Sequence, residues 1–137
     1  MGSKIIKGRK YLSDLGLKKS IIPQHWGAKN DKRQEHWDKE KEIYGFDQRE
    51  TWSLNSSFNI WLFERLSMYN EVNCINTSFH EIEFKGEVLT FQDCIDKMLN
   101  GLKLELTISE YDRTIEQAEI INDVVDIFAL CYGLLWW

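Results

Sequence analysis

Apolar residues in this chain recur at helical spacing in three stretches, and a fourth stretch is helical in composition but almost wholly polar. From Leu54 they fall at Leu54, Phe58, Trp61, Leu62, Leu66 and Tyr69, steps of 4, 3, 1, 4 and 3 that place them on one side of a helix. That side is expected to be buried. Upstream, Asp47 followed three residues on by Glu50 has the spacing of a capping box, with a side-chain oxygen at the helix start and a carboxylate near its positive end. The preceding Asp31–Tyr44 segment, DKRQEHWDKEKEIY, is built of strong helix formers in which only Trp37, Ile43 and Tyr44 are apolar. It predicts a thinly amphipathic helix with a solvated face, lying outside the core and stopped at Gly45.

Beyond the central helix, VNCINTS reads as a loop. FHEIEFKGEVLT alternates imperfectly around a turn-like Lys85-Gly86-Glu87, the pattern of a short strand or hairpin. Thr90 with Asp93 marks a second helix start, carried by Phe91, Cys94, Ile95, Met98, Leu99 and Leu102 to about Leu104. Ser109 with Asp112 marks a third. From there Tyr111, Ile115, Ala118, Ile121, Val125, Phe128, Tyr132 and Leu135 step by 4, 3, 3, 4, 3, 4 and 3. Beyond Asp126 this helix carries no charge on any side, so it must be buried all round or covered by another subunit. Residues 1–30 are a basic arm broken at Gly8, Gly16, Pro23 and Gly27, with at most one short helix that Leu12, Leu15 and Leu17 would tack to the core. The sum is a mainly α protein: an irregular bundle of about four helices over residues 31–137, with a short β-hairpin and no internal repeat.

At 137 residues the chain fits one domain with a single core. The net charge of −5 conceals an asymmetry: residues 1–50 carry 12 Lys/Arg and 8 Asp/Glu, a balance of +4, and residues 51–137 carry 5 and 14, a balance of −9. The basic third suits phosphates, an acidic partner, or the acidic remainder of the same protein. An acidic whole argues against general duplex DNA binding, which draws its affinity from phosphate neutralisation. Cys74, Cys94 and Cys131 are odd in number and sit in apolar helical patterns or their flanks, as in a reduced, intracellular protein. The MGSKII start lacks the Ser or Thr at position 6 of a myristoylation signal, and the uncharged run at the end of the chain, Ile127–Trp137, is eleven residues against roughly 20 for a bilayer span. A cytoplasmic protein without a membrane segment is expected.

His25, His36 and His80 come without metal-ligand spacing, the glycines do not form a phosphate loop, and no cysteine sits in a nucleophile motif. Neither a metal nor a cofactor is expected, and non-enzymatic binding is favoured over catalysis. What stands out is aromatic residues interleaved with cations, from Trp26 and Trp37 to Trp52 and Arg65. Aromatic planes with guanidinium forks hold bases and phosphates, and they serve protein interfaces equally well. The candidate ligand-binding set is Lys32, Arg33, Trp37, Arg49, Glu50, Trp52, Asn55 and Arg65. Ordinary core packing of the tryptophans is the alternative for the same residues.

The block YGFDQRETWSLNSSFNIWLFERLSMY, with KYLSDLG before it, FHEIEFKGE after it and a closing Trp136-Trp137, resembles small proteins of bacteriophages and prophages of Gram-positive hosts. Their pattern is near Y-G-F-D-x-R-E-T-W-S-L-D-x-x-F-x-x-W-L-Y-E-R-L. Two positions depart from it, Asn55 where the pattern has Asp and Phe63 where it has Tyr. Any role of that Asp in holding a proton or cation is thereby in doubt for this chain. The resemblance implies a phage counter-defence factor acting in the host cytoplasm. It would either trap a nucleotide-derived immune signal or block a host defence protein such as a nuclease complex; hydrolysis of the signal by a phosphoesterase is the third option. A homo-oligomer joined through the C-terminal helix and Trp136 and Trp137 is expected.

Overall fold

A computed structural model describes residues 10–17, 32–72 and 80–135. The expectations for Trp26, Cys74, Phe79, Trp136, Trp137 and most of the N-terminal arm lie outside the described residues. The fold is mainly α with a small antiparallel hairpin: α1 (Tyr11–Asp14), α2 (Gln34–Tyr44), α3 (Leu54–Val72), β1 (Ile82–Phe84), β2 (Glu87–Leu89), α4 (Phe91–Thr107) and α5 (Ile115–Cys131). The core forms where α3, α4 and α5 pack, from Ile60, Leu62, Phe63 and Leu66 of α3, Cys94, Ile95, Met98 and Leu102 of α4, and Val124, Ile127 and Cys131 of α5. Leu12 of α1 joins it, with Leu15 and Leu17 packed alongside.

Two helix starts are capping boxes. At α4, Thr90 Oγ1 accepts from Asp93 N at 3.0 Å while the Asp93 carboxylate accepts from Thr90 N at 2.9 Å. At α5 the box is Thr114 with Gln117, at 3.1 and 3.0 Å. This corrects the Ser109/Asp112 expectation: Ser109 heads only a 3₁₀ turn over Glu110–Asp112 and makes no side-chain cap. The turn brings Arg113 back onto the C-terminus of α4, where it donates to the Ile108 and Glu105 carbonyls and to the Glu105 carboxylate at 2.7 Å. The chain closes one helix before it opens the next.

The Asp47/Glu50 expectation is also corrected. Asp47 caps a 3₁₀ turn, Gln48–Thr51, and α3 begins only at Leu54. Gly45, at φ 84°, ends α2 in the left-handed conformation that glycine adopts without strain. In the hairpin, Lys85 (φ 49°) and Gly86 (φ 78°) form the two central positions of a tight turn between paired Phe84 and Glu87. Lys85 is held there by α5, its ammonium 3.2 Å from Glu119 and 2.7 Å from Asp123.

The expected stripe of α3 is buried in part, with Leu62 and Leu66 in the core and Phe58 and Tyr69 packed against it, whereas α5 buries a neighbouring stripe. In α3 the buried residues are Ser57, Ile60, Leu62, Phe63 and Leu66, while Leu54 and Trp61 of the predicted stripe are exposed. In α5 the buried residues are Val124, Ile127 and Cys131, one position ahead of the predicted Val125, Phe128 and Tyr132. The cause in α5 is close packing against Gly101 of α4. A Cβ there would run into a Val124 methyl and stand 2.9 Å from the Ile120 carbonyl oxygen. Ile115 is left 90% exposed and Tyr132 68%. The apolar end of α5 is therefore not buried all round in the monomer.

Candidate functional site

Four of the eight candidate residues meet at the junction of α2 with the turn before α3. Trp37, the only apolar residue in the middle of α2, is fully buried, yet it belongs to a cluster separate from the main core. The Trp52 ring meets it edge-on at 6.0 Å. Two guanidiniums lie over the Trp37 ring, Arg49 at 4.2 Å and Arg33 at 4.9 Å, and Arg33 also reaches Trp52 at 5.7 Å.

Arg49 is committed elsewhere at the same time. It donates from Nε to Asp47 Oδ1 at 3.0 Å and from Nη2 to Oδ2 at 2.7 Å, and its backbone N–H donates to Oδ1 at 2.9 Å. Lys41 of α2 adds a weaker contact to the same carboxylate at 3.9 Å. The hydrogen bonds from Arg49 hold the Asp47 carboxyl below the usual carboxylate range against the opposing effect of burial, and Asp47 in turn raises Arg49. Asp47 is thus the hub of a clasp, accepting three hydrogen bonds from Arg49. Its role is to fasten α2, a helix with little apolar surface of its own, to the start of α3.

The rest of the candidate set divides. Lys32 and Asn55 are exposed, Glu50 is half-buried. Arg65 lies in another part of the molecule, one turn after Trp61 on α3. Its guanidinium sits 4.8 Å from the Trp61 ring centre and donates to the Trp61 carbonyl oxygen at 3.3 Å. Helical side chains lean toward the N-terminus, which lays an arginine at i+4 back over the aromatic at i.

This second Trp–Arg pair is on the rim of a groove of about 480 Å³ lined by Trp61, Leu62, Arg65, Leu66 and Tyr69 of α3, by Phe128 near the end of α5, and by Tyr132, Gly133 and Leu135 beyond it. None of the other seven candidate residues lines it. Its aromatic walls are linked: Phe58 stacks on Trp61 at 6.4 Å, Phe128 meets Phe58 at 5.8 Å, and Tyr132 meets Phe128 at 5.7 Å. Among the described residues of the lining, Arg65 is the single charged one. Trp61 and Tyr69 belong to the apolar stripe read from the sequence, and Arg65 was singled out apart from it. That Phe128 and Tyr132 face them across a groove depends on the phase of α5.

The two described cysteines are buried in the core, where desolvation raises the Cys94 thiol and pushes that of Cys131 to about 11. Both stay protonated at neutral pH and sit apart from the groove lining. Among the described residues no cluster of three His, Cys, Asp or Glu side chains is placed to hold a metal ion, and no helix is long and apolar enough to cross a membrane. No family model, curated protein or solved structure matches this chain.

Proposed function

We propose that this protein is a non-enzymatic capture protein of phage counter-defence that holds a nucleotide-derived immune signal in the groove between α3 and the end of α5. One observation carries the reading: a groove of about 480 Å³ whose walls are aromatic rings, with one guanidinium poised over one of them. Its volume falls within the roughly 300–1,000 Å³ of small-molecule sites. Stacking a base on an aromatic side chain contributes about 1–3 kcal/mol, and an arginine fork matches phosphate oxygens. Among the described residues of the lining there is no carboxylate, imidazole or thiol, which supports retention over cleavage. The phage setting rests on the resemblance in the Gly45–Tyr69 block.

The reading includes a homo-oligomer formed through the exposed side of α5, where Val125 and Leu130 are exposed. Native mass spectrometry of protein purified from a signal-producing host tests both parts in one spectrum: an oligomer carrying a nucleotide-sized extra mass is expected. Calorimetry against cyclic oligonucleotides and ADP-ribose derivatives then compares the wild type with Trp61→Ala. Flat titrations of the folded wild type across that panel overturn the reading, and a monomeric mass in light scattering removes its oligomeric part.

A second reading, direct inhibition of a host defence nuclease complex, is favoured by the −9 balance of residues 51–137 and by exposed Glu116, Glu119 and Asp126 along α5. Charge reversal at those three positions is expected to abolish inhibition of such a nuclease in that case. It would leave the groove's ligand binding unchanged if capture is the function.

A further inference from the structure

The side of α3 that faces away from the core is apolar. Its buried residues, Ser57, Ile60, Leu62, Phe63 and Leu66, take up one side of the helix. On the opposite side Leu54, Phe58, Trp61, Arg65, Met68 and Val72 step by 4, 3, 4, 3 and 4, and at about 100° per residue they fall within about 80° of one another. Leu54 is 65% exposed, Met68 46% and Trp61 43%, with Phe58 and Val72 half-buried. The half-buried polar residues Asn59, Ser67 and Asn70 lie on the core side instead. A helix with an apolar stripe outside and asparagines inside has a second face to cover. The alternation of four and three is the period of a coiled-coil seam.

The seam is complementary to itself. Laid antiparallel against a second copy, about a two-fold axis at the middle of the helix, Leu54 meets Val72, Phe58 meets Met68 and Trp61 meets Arg65, and the same contacts repeat across the axis. In that packing each Arg65 enters a hole formed by Trp61, Glu64, Arg65 and Met68 of the second copy. Its guanidinium there meets the carboxylate of that copy's Glu64, so the two arginines beside the axis are balanced by two glutamates. Glu64 cannot serve the Arg65 of its own chain in this way, because adjacent helical residues point apart. An apolar helix of an unrelated protein would cover Arg65 without supplying a carboxylate. We propose that this protein pairs with itself through an antiparallel contact between two α3 helices, with Arg65 and Glu64 fixing the register. The contact is separate from the one through α5 and does not rest on the capture reading. Trp61 and Arg65 belong both to the seam and to the groove lining, so the second copy's helix runs along the edge of the groove.

The test is sedimentation equilibrium of the full chain, without nucleotide, from about 1 to about 200 µM, since a contact along one 19-residue helix is small among specific interfaces and its dimer dissociates on dilution. A reversible monomer–dimer equilibrium is expected. Met68→Glu, an exposed change whose folding is checked by its melting temperature, should weaken it at least about tenfold, and Leu130→Glu on α5 should leave it unchanged. The register is read with a charge pair. Leu54→Glu and Val72→Lys, each checked for folding in the same way, should each weaken the dimer. Both changes in one chain should restore most of it, because antiparallel pairing sets each new carboxylate against a new ammonium. A monomer at every concentration overturns the proposal and gives the face to a different partner. A dimer that Leu130→Glu breaks and Met68→Glu spares overturns it in favour of α5. A folded double variant that pairs no better than its single parents overturns the antiparallel register, and with it the proposal.

Discussion

The protein holds two tryptophan–arginine pairs that resemble each other in sequence and differ in every physical respect that matters for function. At the clasp, Arg49 lies 4.2 Å from the Trp37 ring, and its donors are spent on Asp47. Trp37 is fully buried there. At the groove, Arg65 lies 4.8 Å from the Trp61 ring, donates only a long bond to a backbone carbonyl, and Trp61 is 43% exposed. A carboxylate two residues from Arg49 separates the cases. Where an arginine over an aromatic ring is neutralised by its own chain, it is part of the fold; where it faces an apolar groove without a carboxylate partner in the lining, it is available to an anion.

The sharpest way to break this comparison is to remove the hub of the clasp. Asp47→Ala leaves the Arg49 guanidinium buried and unpaired, and is expected to lower stability in urea unfolding by about 3–5 kcal/mol. The double variant Asp47→Ala/Arg49→Met should recover part of that loss, because the buried charge goes with its partner. An additive double variant would show that the pair does not act as a unit.

Gly101 tests the other half. Gly101→Ala pushes Val124 and the Ile120 carbonyl away from α4, and overpacking of this kind costs roughly 1–3 kcal/mol. The rotation or displacement of α5 moves Phe128 and Tyr132, so groove binding should weaken while the near-ultraviolet signal of the Trp37–Trp52 pair persists. Loss of the clasp signal in place of groove binding would reverse the assignment.

Acid sharpens the contrast next. Asp47 has its folded pKa depressed below an unfolded value near 3.9, chiefly by hydrogen bonds from Arg49. Its contribution to stability is therefore fully present above about pH 4 and is lost as the pH falls through the lower, folded value. Urea titrations between about pH 5 and pH 2 are expected to show this loss in the wild type and a shallower slope in Asp47→Asn. Parallel slopes would mean that the clasp does not couple to folding.

The smallest expected change in stability is at the groove. Arg65→Gln removes an exposed ring contact of about 0.5–1 kcal/mol and should shift the melting temperature only slightly. A loss as large as that of Asp47→Ala would show that Arg65 belongs to the fold and not to a binding site.

Local signals in the chain located most elements because their causes are local. The Thr90/Asp93 box, the Gly45 stop and the Lys85-Gly86 turn each follow from a side chain or a glycine acting within three residues of itself. The polar α2 with its lone buried Trp37 was likewise visible, since a helix with so little apolar surface has no place in a core. The candidate site was legible only as residue types. Trp37, Arg49, Trp52 and Arg65 carry the right chemistry for a ligand, and no local rule tells that Asp47 has already engaged one arginine and left the other.

Near the C-terminus the sequence alone is ambiguous. Ile120 and Ile121, Val124 and Val125, Ile127 and Phe128, and Cys131 and Tyr132 form two apolar stripes one residue apart, and either satisfies a helical period. The amino-acid sequence by itself determined that α5 is a helix and where α4 starts, because capping and periodicity are properties of neighbouring residues. Only tertiary packing decided which stripe is buried: Gly101 offers the close approach that Val124 and Ile120 occupy, and that choice turns Phe128 and Tyr132 outward beside Trp61 and Arg65.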